Sequence, residues 1–120
     1  METLYEKIGA ENLRLLVEGF YSRVMTNEGI SHLFKTDLEL IKEKQFMFLS
    51  QFLGGPDLYT STYGPPKMRR RHLPHAIDQN AKDEWLKCMN ESIDELSLEK
   101  SIKEALKNCF PILAQHMVNR

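Results

Sequence analysis

Three prolines constrain this chain more than any other residues. Pro65 and Pro66 precede, and Pro74 follows, the run Lys67-Met-Arg-Arg-Arg-His72-Leu73. A proline ring fixes its φ angle and removes a backbone donor, so it opens a helix readily but does not continue one. The pattern predicts a short, stiff helical turn that opens at Pro65 and Pro66 and closes at Pro74, between two longer helical stretches. His72 is held on that turn. A neutral imidazole held this way can ligate a metal, and the cations just upstream can pair with carboxylates of a bound cofactor. The same spacing describes equally well a basic surface turn whose histidine only packs. The rest of the chain decides between the two.

Apolar residues recur at helical spacing wherever the chain runs long between breakers. A short turn over 3–8 ends at Gly9, which can serve as a left-handed cap. A helix over about 11–25 presents Leu13, Leu16, Val17, Phe20 and Val24 on one face, with Tyr21 beside it. After the break at Asn27-Glu-Gly29, residues 30–34 form one or two turns with Phe34 pointing inward. Thr36 or Asp37 can cap the next helix, 38–53, whose stripe is Ile41, Gln45, Phe48 and Phe52, flanked by Phe46, Leu49 and Leu53. Residues 57–63 have no clear period and are expected to join Gly64-Pro-Pro66 in a long irregular connection, which in a small domain is usually functional. A helix from Asp78 or Asn80 to about 96 buries Ala81, Trp85, Met89 and Ile93. Ser97 can cap a last helix, kinked at Pro111, with Leu98, Ile102, Leu106, Cys109, Leu113 and Met117 inward and His116 at the surface. No strand alternation or repeat occurs. The expected fold is all-α.

Several function classes are excluded by simple properties. The 120 residues suffice for one core, so one domain over 1–120 is expected. A net charge of −1 offers no chain-wide attraction for nucleic acid or an anionic membrane, and the single basic cluster at 67–72 is too compact to alter that. No apolar run approaches the roughly 20 residues needed to span a bilayer. Met1-Glu-Thr-Leu-Tyr-Glu6 has neither the basic end nor the apolar segment of a signal peptide, and Cys88 and Cys109 have no neighbouring partner motif. A cytoplasmic protein with reduced thiols is the expectation.

Three side chains that want hydrogen-bond partners, Tyr21, Gln45 and Trp85, fall on or beside the apolar faces of three different helices. A buried amide such as that of Gln45 costs on the order of 1–3 kcal/mol if left unpaired. One arrangement satisfies all three: a flat apolar cofactor between the helices, ligated by His72, with a small polar ligand on its other side. Haem fits that description, and imidazole is its usual axial ligand in ligand-binding proteins.

The residues also resemble a known family, the truncated or two-over-two haemoglobins, and within it the Bacillus-type members of group II. The resemblance is carried by Phe20-Tyr21, Phe34, Phe48-Leu-Ser-Gln-Phe-Leu-Gly-Gly-Pro56 with Tyr59, Met68-Arg-Arg-Arg-His72-Leu-Pro74, Asp83-Glu-Trp85-Leu-Lys-Cys-Met89 and His116-Met-Val-Asn119. It covers nearly the whole chain in the right order. Gln45 stands where the Bacillus-type proteins also carry glutamine. The resemblance implies a truncated globin fold, haem b as cofactor and His72 as the proximal iron ligand. It implies that Tyr21, Gln45 and Trp85 form a distal cage over bound O2. Phe34 would wedge the haem and Ile41 would line the distal entrance. Lys44 and Tyr59 would contact the haem propionates, with Arg69 or Arg71 assisting. Phe48, Leu49, Met68, Leu73, Ile77 and Met89 would be apolar contacts to the haem, as Trp85 would be; for the first six, ordinary core packing is the alternative.

Four positions depart from the family pattern. Gly64-Pro65-Pro66 replaces the usual Gly-His-Pro, and Gly9-Ala10 the usual glycine pair. His75 stands where phenylalanine is usual, which puts a second imidazole three residues from the first. Ile41 is larger and more apolar than the residue common there. The implied function is reversible binding of O2 or another diatomic ligand, as a monomer or homodimer. An enzyme working at the same iron, by NO dioxygenation or peroxidase-like chemistry, is the alternative, and it would need a separate reductase because this chain has no flavin or nicotinamide domain.

Overall fold

The computed structural model describes residues 2–34, 37–73 and 75–120, with the side chains of Arg69 and Arg71 outside the description. In chain order the helices are α1 (Leu4–Ile8), α2 (Ala10–Val24), α3 (Leu38–Phe52), α4 (Leu58–Tyr63), α5 (Met68–His72), α6 (Gln79–Asp94), α7 (Lys100–Lys107) and α8 (Phe110–Met117), with a 3-10 turn at Ser31–Leu33 before α3. No strand occurs among the described residues. None of the helices is long and apolar enough to cross a membrane.

α2 lies across both α3 and α6, and α6 in turn packs on α8, so two helix pairs face each other. Their apolar stripes meet in a core that fully buries Leu13, Leu16, Phe20, Val24, Leu49, Met89, Ile93, Leu106 and Phe110. α1 is braced by a reciprocal cap: the Glu6 amide donates to the Thr3 hydroxyl at 3.2 Å, and the Thr3 amide donates to the Glu6 carboxylate at 3.1 Å. Asp37 starts α3 by accepting from the amides of Glu39 and Leu40, and Asp78 starts α6 by accepting from Ala81 at 2.8 Å. Thr36, the other residue expected to cap α3, lies outside the described residues.

Several expectations change. Gly9 has the positive φ expected of a cap (84°), but its ψ of 151° is extended, so it links α1 directly to α2 and is no left-handed helical cap. Residues 58–63 form helix α4 where an irregular connection is expected. Six residues are too few to display a period, and the turn is fixed from outside by Gln51, whose amide donates to the Thr60 hydroxyl at 2.8 Å and accepts from the Thr60 backbone at 2.9 Å. α5 begins at Met68, two residues after Pro66, because Lys67 adopts a left-handed conformation (φ 46°, ψ 51°) and turns the chain there. The last helix is broken where a kink is expected. Pro111 has no amide and would clash with the Lys107 carbonyl in a continuous helix, so α7 stops at Lys107 and α8 restarts at Phe110. Glu99, not Ser97, precedes α7 as its N-cap residue. Phe52 sits at the rim at 38% exposure, stacked on Phe48 at 5.6 Å.

The turn after α3 is docked tightly on α1. The Tyr5 amide donates to the Leu53 carbonyl at 3.0 Å. A Cβ on Gly55 would lie 2.5 Å from Cγ of Tyr5 and 2.7 Å from both Cδ atoms, inside the ring's van der Waals surface. Gly55→Ala is therefore expected to destabilise the protein by roughly 1–3 kcal/mol, the usual range for overpacking. Thermal unfolding followed by circular dichroism measures this, and removing the ring in Tyr5→Ala/Gly55→Ala should recover part of the loss. An unchanged Tm in the single variant would mean that the ring swings aside without cost.

Candidate haem-binding site

Between the two helix pairs lies a cavity of about 530 Å³, within the range of roughly 300–1,000 Å³ typical of small-molecule and cofactor sites. α3 supplies Ile41, Lys44, Gln45, Phe48 and Leu49; α4 supplies Tyr59; α5 supplies Met68 and His72. Tyr21 enters from α2, Trp85 from α6, and Phe34 and Ile77 from the flanking connections. Twelve of the residues expected to meet the haem or its ligand thus line one cavity.

Two do not. Leu73, expected to contact the haem, is 47% exposed and lies off the cavity wall. The residue after His72 is turned about 100° from it around the helix axis, so it faces away. Met89, expected to be a further contact, is completely buried in the core and off the cavity wall. It shares a face with Trp85 but lies one turn further along α6, beyond the part of that helix (Ala81, Lys82, Trp85) that reaches the cavity. Arg69 and Arg71, expected near the propionates, have side chains outside the described residues.

His72 occupies the last position of α5. Its Nδ1 lies 2.6 Å from the Met68 carbonyl oxygen. A carbonyl only accepts, so Nδ1 carries the proton and Nε2 keeps its lone pair. Burial holds the imidazole below its ordinary pKa; the Met68 carbonyl opposes that shift, and the neighbouring His75 adds to it. The outcome is a neutral imidazole with one nitrogen oriented by the backbone and the other free to ligate.

Tyr21 is 3% exposed, with its ring edge-on to Phe20 at 4.9 Å and to Phe34 at 5.6 Å. Burial pushes its phenol far above the ordinary range, so it remains an O–H donor at any physiological pH. The Trp85 ring is held between Phe20 at 5.2 Å and Phe110 at 5.8 Å. The side chains of Tyr21, Gln45 and Trp85 make no hydrogen bond to any described residue. Three polar groups without a hydrogen-bond partner among the described residues thus line the same cavity as His72. Tyr59 is buried against Phe48 and Tyr63, and the Lys44 ammonium lies 5.0 Å above the Tyr63 ring.

The wall also contains residues with no cavity role expected from the sequence. Leu113 and Met117 stand on the inward face expected for the last helix, and Ala81 on that of α6, but periodicity cannot distinguish a cavity wall from solid core. Ile30, Leu33 and Ala114 line the cavity too, although none of them is expected on an inward face. His32, His75 and Lys82 are polar lining residues; Lys82 donates to the Gln115 side chain at 2.7 Å. Of these, only His75 stood out in the sequence.

A family model for bacterial-like globins matches residues 3–119. The group 2 truncated haemoglobin YjbI of Bacillus subtilis is 44% identical over 97% of this chain and 88% of its own length. Among solved structures, the oxygen-avid truncated haemoglobin of Bacillus subtilis superposes with a TM-score of 0.93 at 43% identity, covering 98% of this chain and all of that one. The haemoglobin of Chloroflexus aurantiacus superposes at 0.94 with 38% identity over the whole of both chains. The chain belongs to the bacterial-like globins, and within them to the group II truncated haemoglobins. Membership implies haem-based binding of diatomic ligands.

Proposed function

We propose that the chain holds haem b through Nε2 of His72 and binds O2 reversibly on the opposite face, beneath Tyr21, Gln45 and Trp85. The observation that carries this reading is the presence of three hydrogen-bonding side chains, none with a partner among the described residues, in the cavity lined by a backbone-oriented, neutral His72. Haem, when bound, would supply the iron at which a diatomic ligand binds. The protein's part is to orient, donate and exclude water. Met68 fixes the His72 ring through its carbonyl. Phe48, Leu49, Met68 and Ile77 provide the apolar bed that a flat macrocycle requires, and Phe34 and Ile41 close it on the distal side. Lys44, with Lys82 and His75, offers cationic or hydrogen-bonding groups to the carboxylates of the macrocycle.

Tyr21, Gln45 and Trp85 donate toward a ligand that gains negative charge on binding. Preorganised donors in a water-poor site stabilise such charge more than water does, which slows dissociation. The similarity to an oxygen-avid haemoglobin supports the same reading. We propose a cytoplasmic location on the same footing.

Titration of the purified chain with haemin is expected to give a sharp Soret band that saturates at one haem per chain. Reduction and exposure to air should then yield a stable oxygenated spectrum. A featureless titration would remove the haem reading, and rapid NO consumption in the presence of a reductase would favour the dioxygenase alternative over simple binding.

A further inference from the structure

Asn119 lies two residues beyond α8, and its side-chain amide is fully engaged. Nδ2 donates to the carbonyl oxygens of His72, at 3.1 Å, and His75, at 2.9 Å, while Oδ1 accepts from the Ile77 amide at 3.0 Å. The Asn119 and Arg120 amides both donate to the Ile77 carbonyl, at 2.9 and 3.2 Å. One residue thus grips both ends of the connection from α5 to α6, a stretch from which His72, His75 and Ile77 all line the cavity.

α5 is only five residues long, and such a helix has no independent stability. Its last carbonyls lack partners within the helix. The His72 carbonyl instead accepts from the His75 amide at 2.9 Å and from Asn119. The cap of this helix is therefore delivered by a residue 47 positions away. α5 also packs on α8, and residues of α8 form part of the cavity wall.

We propose that Asn119 is a positioning residue for His72: it fixes the end of α5, and with it the tilt and depth of the imidazole, through the 72–77 backbone. The inference rests on the reading of His72 as the haem ligand. The chemistry calls for a primary amide at this reach, with two donors on one side and an acceptor on the other. Aspartate would lose both donors and set a negative charge against two carbonyl oxygens. Glutamine would carry the same groups one methylene too far.

The test compares wild type, Asn119→Asp, Asn119→Ala and Gly55→Ala, all loaded with haem and reduced. It reads the iron–histidine stretching band by resonance Raman and the rate of haem transfer to an excess of a scavenging apoglobin. Gly55→Ala is expected to lower stability through Tyr5 of α1, a contact that involves none of the residues Asn119 holds, and serves as the control for a merely structural effect. Both Asn119 variants are expected to shift and broaden the band and to lose haem roughly tenfold faster, at the lower end of the 10–100-fold range for groups that support a metal ligand. Gly55→Ala should leave the band in place. In the haem-free protein, the Ile77 amide should exchange its hydrogen faster in both Asn119 variants, and this readout does not depend on haem. A wild-type band that is unchanged in both variants, or that moves equally in Gly55→Ala, would overturn the inference. Absence of any iron–histidine band in wild type would instead overturn the underlying assignment of His72.

Discussion

Replacing His72 by glycine is expected to abolish the sharp one-to-one haem absorption of the chain, and millimolar imidazole should restore it. Among the described residues, no three His, Cys, Asp or Glu side chains converge as metal ligands. His72 would therefore act as a lone protein ligand to a metal whose other ligands come with the macrocycle. Loss of a group that merely supports a ligand costs about 10–100-fold in metal affinity, and loss of the ligand itself should exceed that. The apolar wall would still attract the macrocycle, so weak, broad absorption can persist in the variant. Restoration by imidazole distinguishes a missing ligand from a misfolded site, because the free base can enter the space that the side chain vacates. The rival outcome is specific: an undiminished band in His72→Gly would transfer ligation to His75, which lines the same cavity from the exposed connection after α5.

Tyr21→Phe should accelerate O2 dissociation by roughly ten- to a hundredfold. The substitution leaves the ring and its edge contacts with Phe20 and Phe34 in place, and removes only the hydroxyl. A hydrogen bond to a charged acceptor contributes about 1.5–3 kcal/mol, and each 1.4 kcal/mol is a factor of ten in an equilibrium constant. Association should change little, because the substitution leaves the other lining residues, Ile41 and Phe34 among them, unaltered. Carbon monoxide is a useful control: it acquires less negative charge when bound, so its release should respond far less than that of O2. Stopped-flow displacement measures both rates. Equal acceleration for the two ligands would point to a steric role for the hydroxyl, and no acceleration for O2 would leave Gln45 and Trp85 as the effective donors.

The parts of this molecule that were legible in its sequence are those written in long periods. α2, α3 and α6 each run for 15 or 16 residues, long enough for an apolar face to repeat and for Tyr21, Gln45 and Trp85 to stand out against it. The proline-bounded turn exposed His72 for a different reason: breakers are local signals. What escaped was set by partners distant in the chain or by backbone geometry that leaves no residue-type mark. α4 depends on the clamp between Gln51 and Thr60, and the start of α5 on a lysine in a conformation that lysine rarely adopts. Met89 and Leu113 illustrate the remaining ambiguity. Both occupy inward faces of helices, yet one packs in solid core and the other lines the cavity, and only the three-dimensional placement of each helix end separates them. The grip of Asn119 on residues 42–47 positions upstream has no local signature at all.

That grip also orders events in time. On a ribosome the chain emerges from its amino end, so α2, α3 and α5 are outside and able to collapse while residues 113–119 are still being made. The wall formed by Leu113, Ala114 and Met117, and the amide that ties off the segment after α5, arrive last among the described elements of the cavity. Contacts of such long sequence separation are also the slow ones to close. A chain stopped short of residue 113 therefore lacks one wall of the cavity and the hydrogen bonds that hold the 72–77 connection.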